Sequence, residues 1–262
     1  DGYVYAGHFS PWRNRRHGAP ADGLEGERFV VFAQNHDQVG NRMLGERLSA
    51  LVDFPRLKVA AAAVILSPYL PLLFMGEEYG ETAPFLYFVS HGDEDLVEAV
   101  RRGRREEFAA FHAQGEAPDP QALETFEQCL LNHKLRDQGH HRYLLEFYRE
   151  LLRLRRETPA LSQLERTGTR ALAGEHDQTL IVLRGPRDGD AEAAILFNFG
   201  EMVTQIHVPL PEGRWLVALD SEDERWGGRG VDIDNQVIIS GGDELIRLPA
   251  RSARLLLRTG EP

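Results

Sequence analysis

Two places in the sequence put ionisable side chains directly after an apolar run. In 28-RFVVFAQNHDQVGNR-42 the run Phe29–Ala33 gives way to Asn35, His36 and Asp37, followed by Gln38 and Arg42. In 70-LPLLFMGEEYG-80 a second run ends in Glu77, Glu78 and Tyr79. A carboxylate at the C-terminal end of a parallel strand is held by rigid backbone and faces the cavity that the strand ends enclose. Two carboxylates at one cavity suit general acid and base chemistry on a glycosidic bond. His36 could shuttle a proton or donate to a hydroxyl. Arg42 could pair with Asp37 and keep it ionised. Plainer roles stand beside these. Asp37 could cap the turn that follows it, Arg42 could be a solvated helix residue, and Glu77 or Glu78 taken alone fits a supporting role.

These residues need strands and helices to position them. Phe29–Ala33 is continuous and apolar, which suits a strand buried on both faces of a parallel sheet. Residues 56–67, RLKVAAAAVILS, have the length and alanine content of a buried helix, and Ser67-Pro68 ends it. The run from Leu70 is then a second strand, and strand, helix, strand predicts a parallel pair. Residues 1–27 show no apolar period and read as a long loop. Residues 81–142 form a long insertion with one helix over about 93–111, whose Leu96, Val97, Val100, Phe108 and Phe111 share a face. Its run 101-RRGRREEF-108 reads as a solvated face with internal ion pairs. Residues 114–121 read as loop. Residues 143–156 repeat apolar residues at helical spacing, with basic residues at the C-terminal end, and Thr158-Pro159 stops them.

Beyond residue 165 the texture changes to short β-rich runs separated by turn signals. They are 179-TLIVLRG, 193-AAILFNFG, 203-VTQIHV, 214-RWLVALD, 236-QVIIS, 244-ELIRLP and 252-SARLLLR. Spacing of about ten residues predicts an antiparallel sandwich or barrel. The domain boundary falls near residue 163, giving units 1–163 and 164–262.

The 262 residues carry a net charge of −11, which argues against a nucleic-acid partner and an anionic membrane surface. No apolar stretch reaches the length of a membrane span. The single cysteine, Cys129, excludes an internal disulfide framework and a cysteine-rich metal site, and fits a cytoplasmic location. His133, His140 and His141 lack regular ligand spacing, so no metal is expected. The Gly-rich 226-WGGRG-230 reads as a turn. The aromatics Trp12, Tyr79, Phe85, Tyr87 and Phe88 fall in loops, where flat rings stack on sugars or simply pack the loop down. The chain opens on Asp1-Gly2-Tyr3 and reads like the middle of a longer protein.

The segment 29-FVVFAQNHDQVGNR-42 resembles the motif at the end of the seventh strand of the (β/α)8 barrel in the α-amylase family, glycoside hydrolase family 13. Likewise 71-PLLFMGEEYG-80 resembles the eighth strand and its exit loop, and 144-LLEFYRELLRLRRETPAL-161 the eighth barrel helix. The pieces 194-AILFNFG-200 and 244-ELIRLPARSARLLL-257 are similar to the family's C-terminal sandwich. The phrases 84-PFLYFVSHGDEDL-96 and 103-GRREEF-108 fit a subgroup acting on maltooligosyl-trehalose.

The resemblance implies an α/β plus all-β fold: the C-terminal part of a TIM barrel followed by an antiparallel β-sandwich. It implies a retaining α-glycosidase that needs no cofactor, with maltooligosyl-trehalose and α-1,4-glucan oligosaccharides as substrates and trehalose as a product. In it Asp37 is the transition-state stabiliser, and Asn35, His36, Gln38, Arg42, Glu77, Tyr79, Phe85 and Tyr87 meet the substrate. The family's nucleophile and general acid sit on the fourth and fifth strands, which have no counterpart here. The upstream half of the same barrel is therefore the implied partner, and this chain alone is expected not to hydrolyse anything. A glucan branching enzyme of the same family and a non-catalytic carbohydrate-binding fragment are the alternatives.

Overall fold

The computed structural model describes residues 5–110, 117–230 and 237–260. The expected N-terminal loop instead contains a hairpin, β1 (Ala6–Ser10) paired antiparallel with β2 (Arg15–Gly18). It is held by close backbone approach rather than by an apolar face. At Gly18 (φ 74°) a Cβ would lie 1.6 Å from the Tyr5 carbonyl oxygen. A strand pair of this kind leaves no alternation in the sequence to detect.

Next come β3 (Val30–Val31), three helices, α1 (His36–Gly40), α2 (Leu48–Leu51) and α3 (Phe54–Ile65), and then β4 (Leu70–Pro71). β3 and β4 are parallel, as the strand–helix–strand order requires, with Val30 opposite Leu70. Asp53 caps α3 by accepting from the Arg56 N–H at 3.2 Å, and Pro55 lies in its first turn. The pair is not buried on both faces as expected. Leu73 packs into the core beneath, whereas Val30 (56% exposed), Leu70 and Leu72 remain open. Helix α3 and the turn Gly26–Arg28 pack against β4.

The insertion carries α4 (Glu94–Ala110) and α5 (Leu123–Glu127), followed by α6 (Gly139–Glu157) and α7 (Pro159–Ser162). Phe111, residues 114–116 and Gln236 lie outside the described residues. Helix α6 starts at Gly139 rather than at 143, and Leu144, Phe147, Tyr148, Leu151 and Leu154 form its buried stripe.

The C-terminal part is antiparallel: β5 (Thr169–Gly174), β6 (Thr179–Arg184), β7 (Ala193–Asn198), β8 (Thr204–Val208), β9 (Gly213–Asp220), β10 (Val237–Ser240), β11 (Glu244–Leu248) and β12 (Ser252–Arg258). Six strands form one sheet in the order β10-β9-β12-β7-β6-β5, and β8 pairs with β11. Edge strand β5 was not anticipated, because four of its six residues are exposed and its pattern carries no apolar run. Central strand β7 is buried at every position. Its Ala193, Ile195 and Phe197 join α3 and α6 in one core, while Ala194 and Leu196 meet Ile206, Val208, Ile246 and Leu248 in another. The large sheet is thus a middle layer between the helices and the β8–β11 pair.

Buried and half-buried cations tie these layers together through backbone carbonyls. Arg155 donates to the carbonyls of Ile65 (2.5 Å), Ser67 (2.7 Å) and Tyr69 (2.5 Å). Arg184 donates to those of Leu66 (2.9 Å) and Gln163 (2.6 Å). These groups include the orphan acceptors at the negative end of α3. Burial, with the charge of Arg155 nearby, brings the Arg184 pKa down to about 10. Lys58, also fully buried, donates to the carbonyls of Ser221 and Trp226. Burial pulls its pKa down to about 8 against the opposing pull of Glu222 and Asp220.

Among the described residues no helix is long and apolar enough to cross a membrane. Arg184→Met should lower the unfolding free energy by about 2–4 kcal/mol, since it strands buried carbonyls of α3 and of the α7–β5 connection. Urea unfolding followed by far-UV circular dichroism measures this, and an unchanged midpoint would refute the carbonyl-anchoring account.

Candidate active site

The turn leaving β3 is organised by Asn35, not by Asp37. Asn35 is the N-cap of α1, and its Oδ1 accepts from the Gln38 N–H at 2.9 Å. That frees His36 and Asp37, whose side chains are 71% and 74% exposed, with Nε2 and Oδ1 3.3 Å apart. Gln38 is exposed on the same turn. Val39 and Gly40 face inward, and Gly40 sits against the Phe85 ring. The helix therefore presents its polar pair to solvent from a seated base. Arg42 does not reach Asp37. It pairs with Glu46, Nε to Oε2 at 3.2 Å. The Glu46 carboxyl lies below its ordinary pKa: partial burial raises it, and hydrogen bonds from backbone N–H groups and Arg42 more than offset that.

Gly76 (φ 86°) and Gly80 (φ 67°) bracket one 3₁₀ turn, Glu77–Tyr79, after β4. Glu77 and Tyr79, which the resemblance implies meet the substrate, both point inward. Glu77 is only 6% exposed. Tyr148 donates to its Oε1 at 3.3 Å, while among the described residues Oε2 is buried with no partner in good hydrogen-bond geometry. Burial pushes its pKa up to about 7, against hydrogen bonds that favour the carboxylate. Gln34, Arg47, Glu77, Glu81 and Tyr148 border a cavity of about 10 Å³, which holds one water at most. Tyr79 is 1% exposed and donates to Glu81 Oε2 at 2.9 Å, so its ring offers no face to a ligand. Glu78 is half-buried beside them.

Two residues that hold this loop were not singled out from sequence. The Glu81 carboxylate accepts from Thr82 N (2.8 Å), Ala83 N (2.9 Å), Tyr79 Oη (2.9 Å) and Asn132 N (2.7 Å). These bonds outweigh burial and keep its pKa below the ordinary value. Arg47, 2% exposed, donates to the carbonyls of Ala83 (2.6 Å) and Met75 (2.7 Å) and lies over the Phe74 ring. Arg47 finds its partners 28 and 36 residues away, and Glu81 takes its fourth donor from 51 residues away, so local spacing does not mark either.

Of the aromatics, Phe85 is half-buried edge-on to Phe74, with ring centres 5.3 Å apart. Tyr87 is 42% exposed and Trp12 91%. Phe88 packs on Phe126. His140 stacks on Phe54, and His141 Nδ1 lies 2.8 Å from the Tyr79 carbonyl. Among the described residues no group of His, Cys, Asp and Glu could hold a metal.

Comparison with known proteins adds an independent line. Residues 172–259 match the α-amylase C-terminal all-β domain. Three relatives carry the name malto-oligosyltrehalose trehalohydrolase. That of Saccharolobus solfataricus is 46% identical over 157 residues, 60% of this chain and 26% of the relative. That of Deinococcus radiodurans is 40% identical, covering 82% and 36%. That of a Rhizobium species is 38% identical, covering 89% and 38%. This chain is similar to the C-terminal part of malto-oligosyltrehalose trehalohydrolases. It spans between 26% and 38% of the length of these three trehalohydrolases. Among solved structures, a candidate α-amylase from Salmonella typhimurium superposes with TM-score 0.76 at 34% identity, covering 97% of this chain and 39% of that one. An α-amylase from H. orenii shares the fold at TM-score 0.52 and 16% identity, covering 88% of this chain and 40% of its own.

The buried Glu77 gives a signed expectation. Its folded pKa of about 7 lies above the unfolded value near 4.5. Stability is therefore fully present below about pH 4.5 and falls as pH rises through 7. Glu77→Gln, which mimics the neutral acid, should lose less stability between pH 5 and 8, by up to about 3 kcal/mol. Thermal melts of both proteins across that range test it, and parallel pH profiles would show that Glu77 is not held protonated.

Proposed function

We propose that this chain is the C-terminal part of a retaining α-glycosidase. The enzyme would cleave the α-1,4 bond next to the terminal trehalose of maltooligosyl-trehalose, releasing trehalose and a maltooligosaccharide. The observation that carries the reading is the exposed His36–Asp37 pair on a seated turn at the C-terminal end of β3. Its likeness to the trehalohydrolases, at 38–46% identity, supports the choice of substrate.

In this reading Asp37 and His36 grip hydroxyls of the sugar being cleaved. Such bonds tighten as the ring flattens toward an oxocarbenium ion, so they lower the barrier rather than merely hold the substrate. Gln38 lies beside them, and Tyr87 and Phe85 lie on the adjoining loop. Asn35 acts through the turn it caps. Glu77 and Tyr79 support the site from below. The nucleophile and the general acid come from the upstream half of the same barrel, in which β3 and β4 are the seventh and eighth strands and α6 the last helix. That half would cover the open side of Val30, Leu70 and Leu72. The sandwich would begin near residue 164 as a second domain.

Asp37→Asn in the full-length enzyme should cut trehalose release by at least 100-fold, as read by chromatography of the products. Circular dichroism and melting temperature should not change, because the side chain is exposed. Near-normal turnover would remove Asp37 from the mechanism. New α-1,6 branches in place of free trehalose would redirect the assignment to a branching transferase.

A further inference from the structure

The basic run in α4 is not the uniformly solvated face its composition predicts. Arg101 and Arg102 do behave that way. Arg101 pairs with Glu98 (2.6 Å) and Asp119 (2.8 Å), and Arg102 lies 4.0 Å from Glu106. Arg104 is different, with a side chain only 14% exposed. Its guanidinium lies 4.7 Å from the centre of the Tyr87 ring and 4.6 Å from that of Phe108. Its Nη2 donates to the Gly40 carbonyl at 3.3 Å, and its Nη1 to Glu107 Oε2 at 2.8 Å.

Gly40 is the last residue of α1, the short helix that carries His36 and Asp37. Its carbonyl is one of the acceptors that a helix end leaves unpaired. A five-residue helix is too short to hold its own shape, so its orientation comes from what touches it. Phe85 seats Gly40 and Arg104 holds its carbonyl. Asp37 is three residues back on the same helix, about 4.5 Å of rise away. The guanidinium also backs Tyr87, which keeps 42% of its surface open. A planar fork with five donors can stack and hydrogen-bond at once, which a lysine cannot.

We propose that Arg104 is a positioning residue for this site: it pins the insertion helix to the carbonyl end of α1 and braces Tyr87 as a stacking platform for a sugar ring beside Asp37. The inference rests on the glycosidase reading for its chemistry, but its geometry is independent of it.

The test uses the full-length enzyme. Arg104→Met keeps the aliphatic stem and removes the fork. It should lower kcat for trehalose release at least tenfold, raise KM several-fold, and speed hydrogen exchange at the amides of residues 36–42. Arg101→Met breaks exposed ion pairs on the same helix and should leave all three within twofold of wild type. Arg104→Lys should recover only part of the loss. The proposal is overturned if Arg104→Met stays within twofold of wild type, or if Arg101→Met reproduces its effects and so points to helix stability alone. A wild-type enzyme that releases no trehalose would sink the glycosidase reading, while the exchange contrast between the two variants would still decide the position of Arg104.

Discussion

The carboxylate of Glu81 accepts four hydrogen bonds while fully buried, and the loop after β4 takes its shape around it. Two donors are the amides that follow it, one is the Tyr79 hydroxyl, and one is the Asn132 amide from across the insertion. Burying a charge this deeply is tolerable only when its lone pairs are filled. Arg47 supplies the matching cation, stitching Met75 to Ala83 around the same turn. Gly76 makes the turn possible, because a Cβ there would come within 2.7 Å of the Glu81 side chain. Residues that face the candidate site are therefore hung on a rigid internal frame, and Tyr79 belongs to the frame.

The same economy recurs where the helices meet the sheet. Arg184 and Lys58, both buried, and the half-buried Arg155 are cations whose partners are mainly backbone carbonyls rather than carboxylates. Each satisfies acceptors that a helix end or a loop would leave bare. Around them α3, α6, β7 and β12 share one apolar core. The strand ends that bear the polar pair thus inherit the rigidity of a layer well removed from them. At the periphery Arg251 and Arg56 bind Asp53 and Glu201, fastening the start of α3 to the loop after β7.

Much of this was legible in one dimension. The parallel β3–β4 pair follows from apolar run, alanine-rich helix, apolar run, and α6 follows from its stripe. The strands of the sandwich follow from period and turn signals, with β5 escaping because an exposed edge leaves no apolar run. The hairpin β1–β2 escaped because backbone approach at Gly18 stabilises it. The motif 35-NHD-37 stands out as a candidate site by its residue types, and its resemblance to a known strand end suggests a role for it.

The sequence by itself determined which residues are chemically capable and which elements bear them, because propensity and periodicity are local properties. Tertiary structure decided which of the capable residues face outward. Asp37 and Glu77 are both carboxylates just beyond a strand, yet one is exposed on a capped turn and the other is buried with its pKa raised. Arg42 and Arg104 are both arginines in a polar run, yet one pairs at the surface with a carboxylate four residues on and the other holds the end of α1. Burial and partner choice depend on what the chain brings across from 30 to more than 100 residues away, as for Arg47 and Arg184. No local spacing encodes that.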